Sequence, residues 1–312
     1  MFRKFYFLIF LSKPAFCFTQ QSDSLYQKSF ADIYDNDFFS ATDYYYTQGV
    51  RFEFVFPFVK KIPTTKLLFH FKKNTNEKYG FAFNQECFTP TSIRRDTVFT
   101  GDRPFAGAIY LSFFRVSNNF EKQRRIISEI DLGGVGPCAS CRETQENIHK
   151  WLKNIQPLGW QYQVGNDLVL NYFLKYEKNI MYTKWYDMIG FADTKAGTLY
   201  DNLGIGFLMR AGLKENYFSV TDFSKKVQFY LFAKGDMHVI GYSATMQGGV
   251  FRKDNIYTIS PKDIERFVFC GYGGIVLSYK KLSLEYTKVF LSPEYKNGLP
   301  HRWGHCNISV YF

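Results

Sequence analysis

An amide and a carboxylate stand side by side near the amino terminus, and a hydroxyl follows shortly after them. Asn36 and Asp37 end one alternating segment of the sequence, and Thr47 opens the next. Adjacent amide and carboxylate oxygens are ligands that a hard cation such as calcium prefers. An Asn-Asp pair also forms turns without any ligand. These residue types therefore leave a calcium site and a plain turn as alternatives.

A second candidate group lies between residues 135 and 162, in a stretch with helical spacing. Gln145 and His149 are four residues apart, so one face of a helix would carry both side chains. Histidine is the side chain best suited to accept a proton from water near neutral pH. A single histidine on a helix is nevertheless more often structural or solvated. An apolar stripe flanks the pair and consists of Ile148, Trp151, Leu152 and Ile155.

Arginines are the third candidate group, and they lie between residues 89 and 104. Arg94, Arg95 and Arg103 carry guanidinium groups, which bind phosphate through two parallel hydrogen bonds. Two other interpretations are open. The arginines could be part of a solvated loop, or they could pair with Asp96 and Asp102.

The composition limits the kind of scaffold that can position these groups. The chain has 312 residues, a mean hydropathy of −0.24 and 20% aromatic residues. The longest apolar run, Phe5–Leu11, is far shorter than the roughly 18 residues that a spanning helix needs. A hydrophobic content of 46% excludes a disordered chain. Many aromatic residues with low mean hydropathy favour a transmembrane β-barrel over a soluble domain.

Period-two alternation supports this choice, and it is clearest over residues 47–58. Arg51 and Glu53 occupy one face, and the opposite face is almost wholly phenylalanine. Such a face suits lipid better than a mixed core does. The apolar residues of this face are Val50, Phe52, Phe54, Phe56 and Phe58.

The same alternation predicts twelve strands, an even number as expected for a bacterial outer-membrane barrel. We therefore predict an all-β fold, a twelve-stranded antiparallel transmembrane β-barrel with a short helix in an extracellular loop. The chain ends in Phe312 on an alternating strand, which resembles an outer-membrane assembly signal. The strands are predicted near 27–36, 47–58, 78–88, 105–117, 123–134, 163–177, 180–194, 199–213, 226–240, 264–280, 282–293 and 303–312.

Both termini of such a barrel face the periplasm, which places every odd-to-even connection outside the cell. The outer connections are predicted at 37–46, 89–104, 135–162, 194–198, 241–263 and 294–302. The first three contain the three candidate groups. The sequence therefore predicts that the candidate chemistry lies at the extracellular end of a single domain.

Residues 1–20 have the features of a secretory signal peptide, which leaves a mature domain over residues 21–312. A basic pair, Arg3 and Lys4, precedes the apolar run, and small residues follow it. The mature part keeps five cysteines, an odd number that implies at least one free thiol. Cys138 and Cys141 could close a small disulfide loop, or form half of a zinc site for which no second pair exists.

Several motifs together resemble the LpxR-type lipid A deacylases of the bacterial outer membrane. The resemblance covers roughly residues 30 to 312, with the motifs in the same order and at similar spacing. The motifs are Asn36-Asp37, Asp43-Tyr44-Tyr45-Tyr46-Thr47-Gln48-Gly49, Phe88-Thr89-Pro90, Gly101-Asp102-Arg103-Pro104-Phe105-Ala106-Gly107, Gly133-Gly134-Val135-Gly136-Pro137, Gln145 with His149 and Gly159-Trp160, Tyr286-Thr287-Lys288-Val289-Phe290, Glu294, and His301-Arg302-Trp303-Gly304.

This resemblance implies a site between the outer barrel wall and a loop helix, and calcium-dependent hydrolysis of the 3′-acyloxyacyl ester of lipid A. By position, His149 is similar to the catalytic base of the family. Gln145 is similar to a helix residue that faces the same cleft. Asn36, Asp37 and Thr47 are similar to residues around the calcium ion and the ester carbonyl.

The resemblance also implies the partners. Lipopolysaccharide in the outer leaflet would be the substrate, and Arg94 and Arg95 are similar to a basic pair that contacts it. The protein would be a monomer in the outer-membrane bilayer. A net charge of +11 also permits nucleic-acid binding in principle. An exported barrel, however, meets anionic lipid headgroups first, so we expect no nucleic-acid partner.

One position departs from the family pattern. Ile155 stands where the family often has a glutamate, about six residues after the histidine. This departure keeps two alternatives open: a passive or porin-like barrel that has lost activity, and a phospholipase-type lipid esterase. The sequence has no Gly-x-Ser-x-Gly motif, which disfavours a serine hydrolase.

Overall fold

A computed structural model describes residues 28–40, 44–73, 75–219 and 227–312. The predicted signal peptide lies outside the described residues. The strands are β1 (Ser29–Asn36), β2 (Tyr45–Val55), β3 (Asn76–Thr89), β4 (Ala106–Asn119), β5 (Arg124–Val135), β6 (Asp167–Tyr182), β7 (Tyr186–Gly197), β8 (Tyr200–Leu213), β9 (Gln228–Ser243), β10 (Phe267–Tyr279), β11 (Leu282–Leu291) and β12 (His301–Tyr311). Two α-helices are described, α1 (Cys141–Leu152) and α2 (Ala244–Gln247).

The strands form one closed antiparallel barrel in which each strand pairs with its neighbour in sequence. β1 closes the barrel against β12, with Ser29 opposite Tyr311 and Asn36 opposite Gly304. The predicted fold class is therefore confirmed. The predicted strands all occur, with shifted ends; β6, for example, begins at Asp167 rather than at 163.

Side chains alternate between the barrel lumen and the outer wall, as the sequence pattern predicts. Arg51, Asn84 and Glu129 face the lumen, where the Arg51 guanidinium donates to Asn84 at 3.0 Å and to both Glu129 oxygens at 3.1 and 2.8 Å. Phe52 and Phe83, their neighbours in sequence, are exposed on the outer wall. Burying the charges inside and exposing the rings outside suits a barrel surrounded by lipid. Among the described residues, no helix is long and apolar enough to cross a membrane.

Two connections fold back over the outer wall instead of extending from the barrel ends. The connection between β5 and β6 contains α1 and lies at the end where the odd strands finish. The connection between β2 and β3 lies at the opposite end. It contains two turns of 3-10 helix, Pro57–Lys61 and Pro63–Leu67. Both connections cover the wall formed by β3 and its neighbours.

Candidate active site on the outer wall

A disulfide holds the start of α1 against the outside of the barrel. Cys141 is the first residue of α1 and is bonded to Cys87 of β3. Glu86, the neighbour of Cys87, faces the lumen, where it accepts hydrogen bonds from Tyr110 at 2.7 Å and Tyr200 at 2.6 Å. Because faces alternate along a strand, Cys87 faces outward. The helix therefore lies on the outer wall.

This pairing differs from the small loop that Cys138 and Cys141 could have closed. Cys138 is an exposed free thiol, and Cys270 and Cys306 are also free among the described cysteines. Cys138 and Cys141 are close in sequence, but Cys141 meets Cys87 because the 136–166 connection turns back onto β3. The sequence spacing contains no signal for this contact.

The wall beneath α1 is shaped to let the helix approach closely. Gly107 of β4 faces the helix start, and a Cβ atom built there would lie 2.8 Å from Cys141 Sγ and 2.9 Å from Ala139 Cβ. Any larger residue would therefore push the helix outward. Gln85 of β3 adds a hydrogen bond from its side-chain amide to the Ala139 carbonyl, at 2.7 Å.

The face of α1 that packs on the wall is polar. Cys141, Gln145 and His149, spaced four apart, are its buried residues. Trp151 and Leu152 of the predicted apolar stripe point away, and Trp151 is 73% exposed. Ile155 is also exposed and lies beyond the helix end, so a helix through it was wrongly predicted. In a soluble protein the apolar stripe would face the core, but here it faces away from the barrel.

His149 is held in one tautomer by the chain that follows the helix. Its Nδ1 lies 2.5 Å from the backbone carbonyl oxygen of Ile155. A carbonyl only accepts hydrogen bonds, so Nδ1 carries the proton, and in the neutral ring Nε2 keeps its lone pair. Lys153, with a left-handed φ of 54°, ends the helix and returns the chain to this position. The Ile155 backbone therefore orients His149, although the Ile155 side chain itself is exposed.

Gln145 has one half of its amide fixed and the other half free. Its Oε1 accepts a hydrogen bond from Trp160 Nε1 at 2.8 Å, and both side chains are buried. That bond fixes the orientation of the amide, so Nε2 is the donor end. Nε2 is buried and has no hydrogen-bond partner among the described residues. A buried donor without an acceptor is costly unless a ligand supplies the acceptor.

Asn36, Asp37 and Thr47 lie at the same end of the barrel. Asp35 faces the lumen, bonded to His305 at 2.7 Å, so Asn36 faces outward. Asn36 Oδ1 accepts the Phe38 N–H at 2.9 Å, and its amide donates to the Tyr34 hydroxyl at 3.0 Å. Asp37 is buried, and its Oδ2 accepts the Tyr44 N–H at 3.0 Å.

Thr47 is the extra residue of a β-bulge. The register between β2 and β3 shifts between Tyr46 and Gln48, and Thr47 is buried at that point. Bulges re-aim a side chain and occur often beside active sites. The alternation in the sequence gives no sign of this bulge.

The strand register connects this group to the helix. Asn36 is paired with Gln48, and Gln48 is paired with Cys87, which carries the disulfide to α1. Two strand spacings put the Asn36 and Cys87 backbones about 10 Å apart. The structure therefore brings the predicted Asn36 group and the Gln145–His149 face to the same end and the same outer side of the barrel.

The donors around Asn36 and Asp37 suit a hard cation in kind. One amide oxygen and one carboxylate are calcium ligands, but calcium takes six to eight oxygens. Backbone carbonyls, water or substrate would have to supply the remainder. Within the described part of the chain, no three His, Cys, Asp or Glu side chains gather into a group that could hold a metal ion.

The three arginines have different places. Arg94 and Arg95 are exposed in the loop after β3. That loop packs on the chain behind α1, where the Leu158 N–H donates to the Ile93 carbonyl at 2.7 Å. The loop that carries these two arginines therefore lies beside the chain that follows α1.

Arg103, the third predicted arginine, does not share their exposed position. It is 1% exposed, forms an ion pair with Glu294, and donates to the Thr245 hydroxyl at 3.0 Å. Its guanidinium lies over the Phe88 ring and lines a lumen cavity of about 400 Å³. Its ion-pair partner, Glu294, comes from the connection between β11 and β12. The sequence instead suggested the neighbouring Asp102 as a partner.

A tyrosine ties the loops together at this end of the barrel. The Tyr295 hydroxyl donates to the Asp102 carboxylate at 2.7 Å and lies 2.6 Å from the Tyr45 hydroxyl. Burial, together with these two hydrogen bonds, raises the pKa of Tyr295, so it remains a proton donor. The hydrogen bonds of Tyr295 fix the start of β2, next to Tyr44, which contacts Asp37.

Comparison with known proteins supports this architecture. Residues 5–312 match the family described as "Outer membrane protein LpxR". The structure of LpxR from Salmonella typhimurium superposes with a TM-score of 0.72 at 18% sequence identity, covering 91% of this chain and 100% of that one. The β domain of the Bordetella autotransporter BrkA gives 0.49 at 6% identity, covering 91% and 98%, too low to support an argument. No curated protein matches the sequence.

Proposed function

The chain belongs to the LpxR family of outer membrane proteins, and we propose that it is a lipid A deacylase that hydrolyses the 3′-acyloxyacyl ester. The observation that carries this proposal is the position and tautomer of His149. A buried imidazole with a free Nε2 lies on the lipid-facing side of the barrel. A fatty ester in the membrane would meet a proton acceptor there.

In the proposed reaction, His149 Nε2 accepts a proton from a water molecule as that water attacks the ester carbonyl carbon. The Ile155 carbonyl, at Nδ1, holds the ring in place and stabilises the positive charge that the ring gains. A positioned general base typically contributes about 10²- to 10⁴-fold in rate. The proton then passes to the leaving alkoxide, so a carboxylic acid and an alcohol are released.

The developing oxyanion needs hydrogen-bond donors, and the unpaired Gln145 Nε2 is the first candidate. The Thr47 hydroxyl and the second N–H of the Asn36 amide are further donors of the right type. Removing one such donor typically costs about 10²- to 10³-fold in rate. Gln145 is the best supported of the three, because Trp160 fixes its orientation.

We also propose that calcium is the cofactor, held by Asp37 and Asn36 with backbone and water oxygens. When bound, calcium would supply positive charge near the ester carbonyl oxygen. With purified protein in detergent and lipid A as substrate, we expect a calcium chelator to suppress hydrolysis and added calcium to restore it. Activity that is indifferent to chelation would remove Asn36 and Asp37 from this role.

The substrate would be held at two levels. Arg94 and Arg95 are exposed in the loop beside the chain that follows the helix and would bind the phosphates of lipid A by bidentate hydrogen bonds. The exposed Trp151 and Leu152 continue the apolar outer wall, so acyl chains would stay in the membrane. We propose that this end faces the outer leaflet. Over the described residues the closed barrel leaves no free strand edge, and we propose that it acts as a monomer.

The test is His149→Ala, with Asn147→Ala as the matched control on the exposed side of the same helix. Each protein is expressed in a cell that lacks it, and lipid A and phospholipids are compared by mass spectrometry. We expect wild type and Asn147→Ala to release the 3′ chain, and His149→Ala to lose about 10²- to 10⁴-fold of the activity. Heat-modifiable gel mobility would show that every barrel is folded.

The other outcomes separate the alternatives. Full activity in His149→Ala would refute the proposed mechanism. Acyl loss from phospholipids alone would indicate a phospholipase. Unchanged lipids together with conductance in planar bilayers would indicate a passive barrel. The ion pair between buried Arg103 and Glu294 lines the lumen and disfavours an open channel.

A further inference from the structure

The connection between β2 and β3 has an unusual composition for a surface loop. Residues 56–73, here named the basic belt, contain five lysines and no aspartate or glutamate. All five lysines are exposed. They are Lys60, Lys61, Lys66, Lys72 and Lys73. The acidic residues that flank it in sequence, Glu53 and Glu77, are already paired with Arg51 at 3.3 Å and with Arg115 at 2.6 Å. The charge of the belt is therefore not neutralised from within this part of the chain.

The basic belt lies on the outside of the barrel. Glu129 faces the lumen, so its neighbour Ser128 faces outward, and the Ser128 hydroxyl donates to the Phe69 carbonyl at 2.9 Å. Tyr172, on the same outer face of β6, accepts the Phe69 N–H at 3.1 Å and donates to the Leu67 carbonyl at 3.1 Å. The belt therefore covers wall that would otherwise face lipid.

The belt is built like an interfacial membrane element. Val59 and Leu68 are fully buried against the wall, while Phe58, Leu67 and Phe69 remain exposed beside the lysines. Leu67 is 68% exposed and Phe69 is 60% exposed. Exposed apolar residues between lysines are typical of segments that lie in the headgroup region, where the lysine stems run along apolar surface and the ammonium groups reach phosphate.

The two ends of the barrel differ in charge. Among the described connections at the belt end, the basic residues are Lys60, Lys61, Lys66, Lys72, Lys73, Lys122, Lys184, Lys214, Lys280 and Lys281, and the acidic ones are Glu121 and Glu215. The described connections at the α1 end mix both signs almost evenly, for example Arg142 with Glu146 and Lys296 with Asp263. Excess positive charge is therefore concentrated around the belt.

We propose that the basic belt is a binding surface for anionic glycerophospholipid headgroups in the leaflet at the terminal end of the barrel. An acidic protein would match the charge as well. It would not explain why large apolar side chains are exposed between the lysines on the lipid-facing wall. A phospholipid supplies both a phosphate for the ammonium groups and an acyl region for the rings. The proposal requires the membrane placement of the barrel and does not depend on deacylase activity.

The test uses the full-length protein in vesicles of phosphatidylcholine and phosphatidylglycerol in equal amounts. The variant replaces the five belt lysines (Lys60→Gln, Lys61→Gln, Lys66→Gln, Lys72→Gln and Lys73→Gln). The charge-matched control replaces five exposed lysines of the α1 end (Lys150→Gln, Lys153→Gln, Lys253→Gln, Lys262→Gln and Lys296→Gln). Lipids that remain bound after mild detergent extraction are counted by native mass spectrometry, and heat-modifiable mobility confirms folding.

We expect wild type and the control to retain phosphatidylglycerol over phosphatidylcholine. We expect the belt variant to lose at least about tenfold of that preference, since each lysine near a membrane surface contributes substantially. The preference of wild type should also fall as salt is raised. Equal retention by wild type and the belt variant, or an equal loss in the control, would overturn the proposal. If wild type and the belt variant retain phosphatidylglycerol equally, the alternative of an acidic protein on the belt is favoured over a lipid. A failed deacylase assay would not affect this result.

Discussion

Two segments cover the same side of this barrel, and they are built in opposite ways. Helix α1 turns Gln145 and His149 toward the wall and exposes Trp151. The basic belt turns Val59 and Leu68 toward the wall and exposes its lysines. The belt follows the ordinary rule of apolar burial. The helix reverses it, and the reversal identifies the side of the barrel on which polar chemistry is protected.

The difference also explains how each segment is held. The belt can draw on apolar burial at about 25 cal/mol per Å². The helix buries polar groups, so its attachment depends on hydrogen bonds and on the Cys87–Cys141 disulfide. If the outward residues of α1 contact lipid, they stay in an apolar environment even when the helix moves away from the wall. Their burial therefore does little to hold the helix there. Covalent attachment is a physical solution when the face that must be buried is polar.

The sharpest way to test this comparison is to remove the unpaired donor from the helix. We expect Gln145→Ala to lower the deacylation rate by about 10²- to 10³-fold, because the oxyanion loses a fixed N–H. The measurement is the release of the 3′ chain from lipid A by purified protein. Gln156→Ala, at an exposed position just past the helix, is the control.

A structural loss at Gln145 must be separated from a catalytic one. Trp160→Phe removes the N–H that orients the amide but leaves the amide itself in place. We expect Trp160→Phe to lose less activity than Gln145→Ala. If the two variants lose equally, the role of Gln145 is to anchor Trp160, and the donor role is wrong.

Removing the crosslink should have the next largest effect. The disulfide closes a loop with a sequence separation of 54 residues. The chain-entropy model gives a loop of that size about 4 kcal/mol. We expect the double variant Cys87→Ser, Cys141→Ser to keep a folded barrel and lose most activity because His149 is no longer held on the wall. Limited proteolysis of the 136–166 connection should become faster.

Cys306→Ser is the control for the crosslink, because Cys306 is a free thiol on a strand. The single variants Cys87→Ser and Cys141→Ser should each match the double variant, since either one breaks the same bond. Undiminished activity in the double variant would show that hydrogen bonds alone hold the helix, which would remove the contrast with the belt.

The smallest effect is expected for Arg94 and Arg95, in the exposed loop after β3. Arg94→Gln with Arg95→Gln should raise KM for lipid A with little change in kcat, because these side chains hold phosphates away from the reacting ester. Losing charge-assisted hydrogen bonds of about 1.5–3 kcal/mol each would raise KM by at least about tenfold. A matched fall in kcat instead would place the arginines at the reacting centre. Steady-state kinetics in mixed micelles gives both constants.

The strands were predictable because lipid and lumen impose a period of two along every strand. The same reasoning located a helix near Gln145 and His149 but did not determine which of its faces packs on the wall. The apolar stripe does not decide this, because the environment outside the wall is itself apolar. The position of Arg103 was not predictable either, because its sequence neighbours resemble an exposed loop while its side chain turns into the lumen toward Glu294.

By itself the sequence determined the barrel, the strand order and the residue types available for hydrolysis, since these follow from local alternation and spacing. Only the tertiary structure decided that Cys141 bonds Cys87, that the Ile155 carbonyl sets the tautomer of His149, and that residues 56–73 lie against the outer wall. Each of these depends on where a connection folds back onto distant strands. Such contacts are fixed by three-dimensional packing, which leaves no periodic trace along the chain.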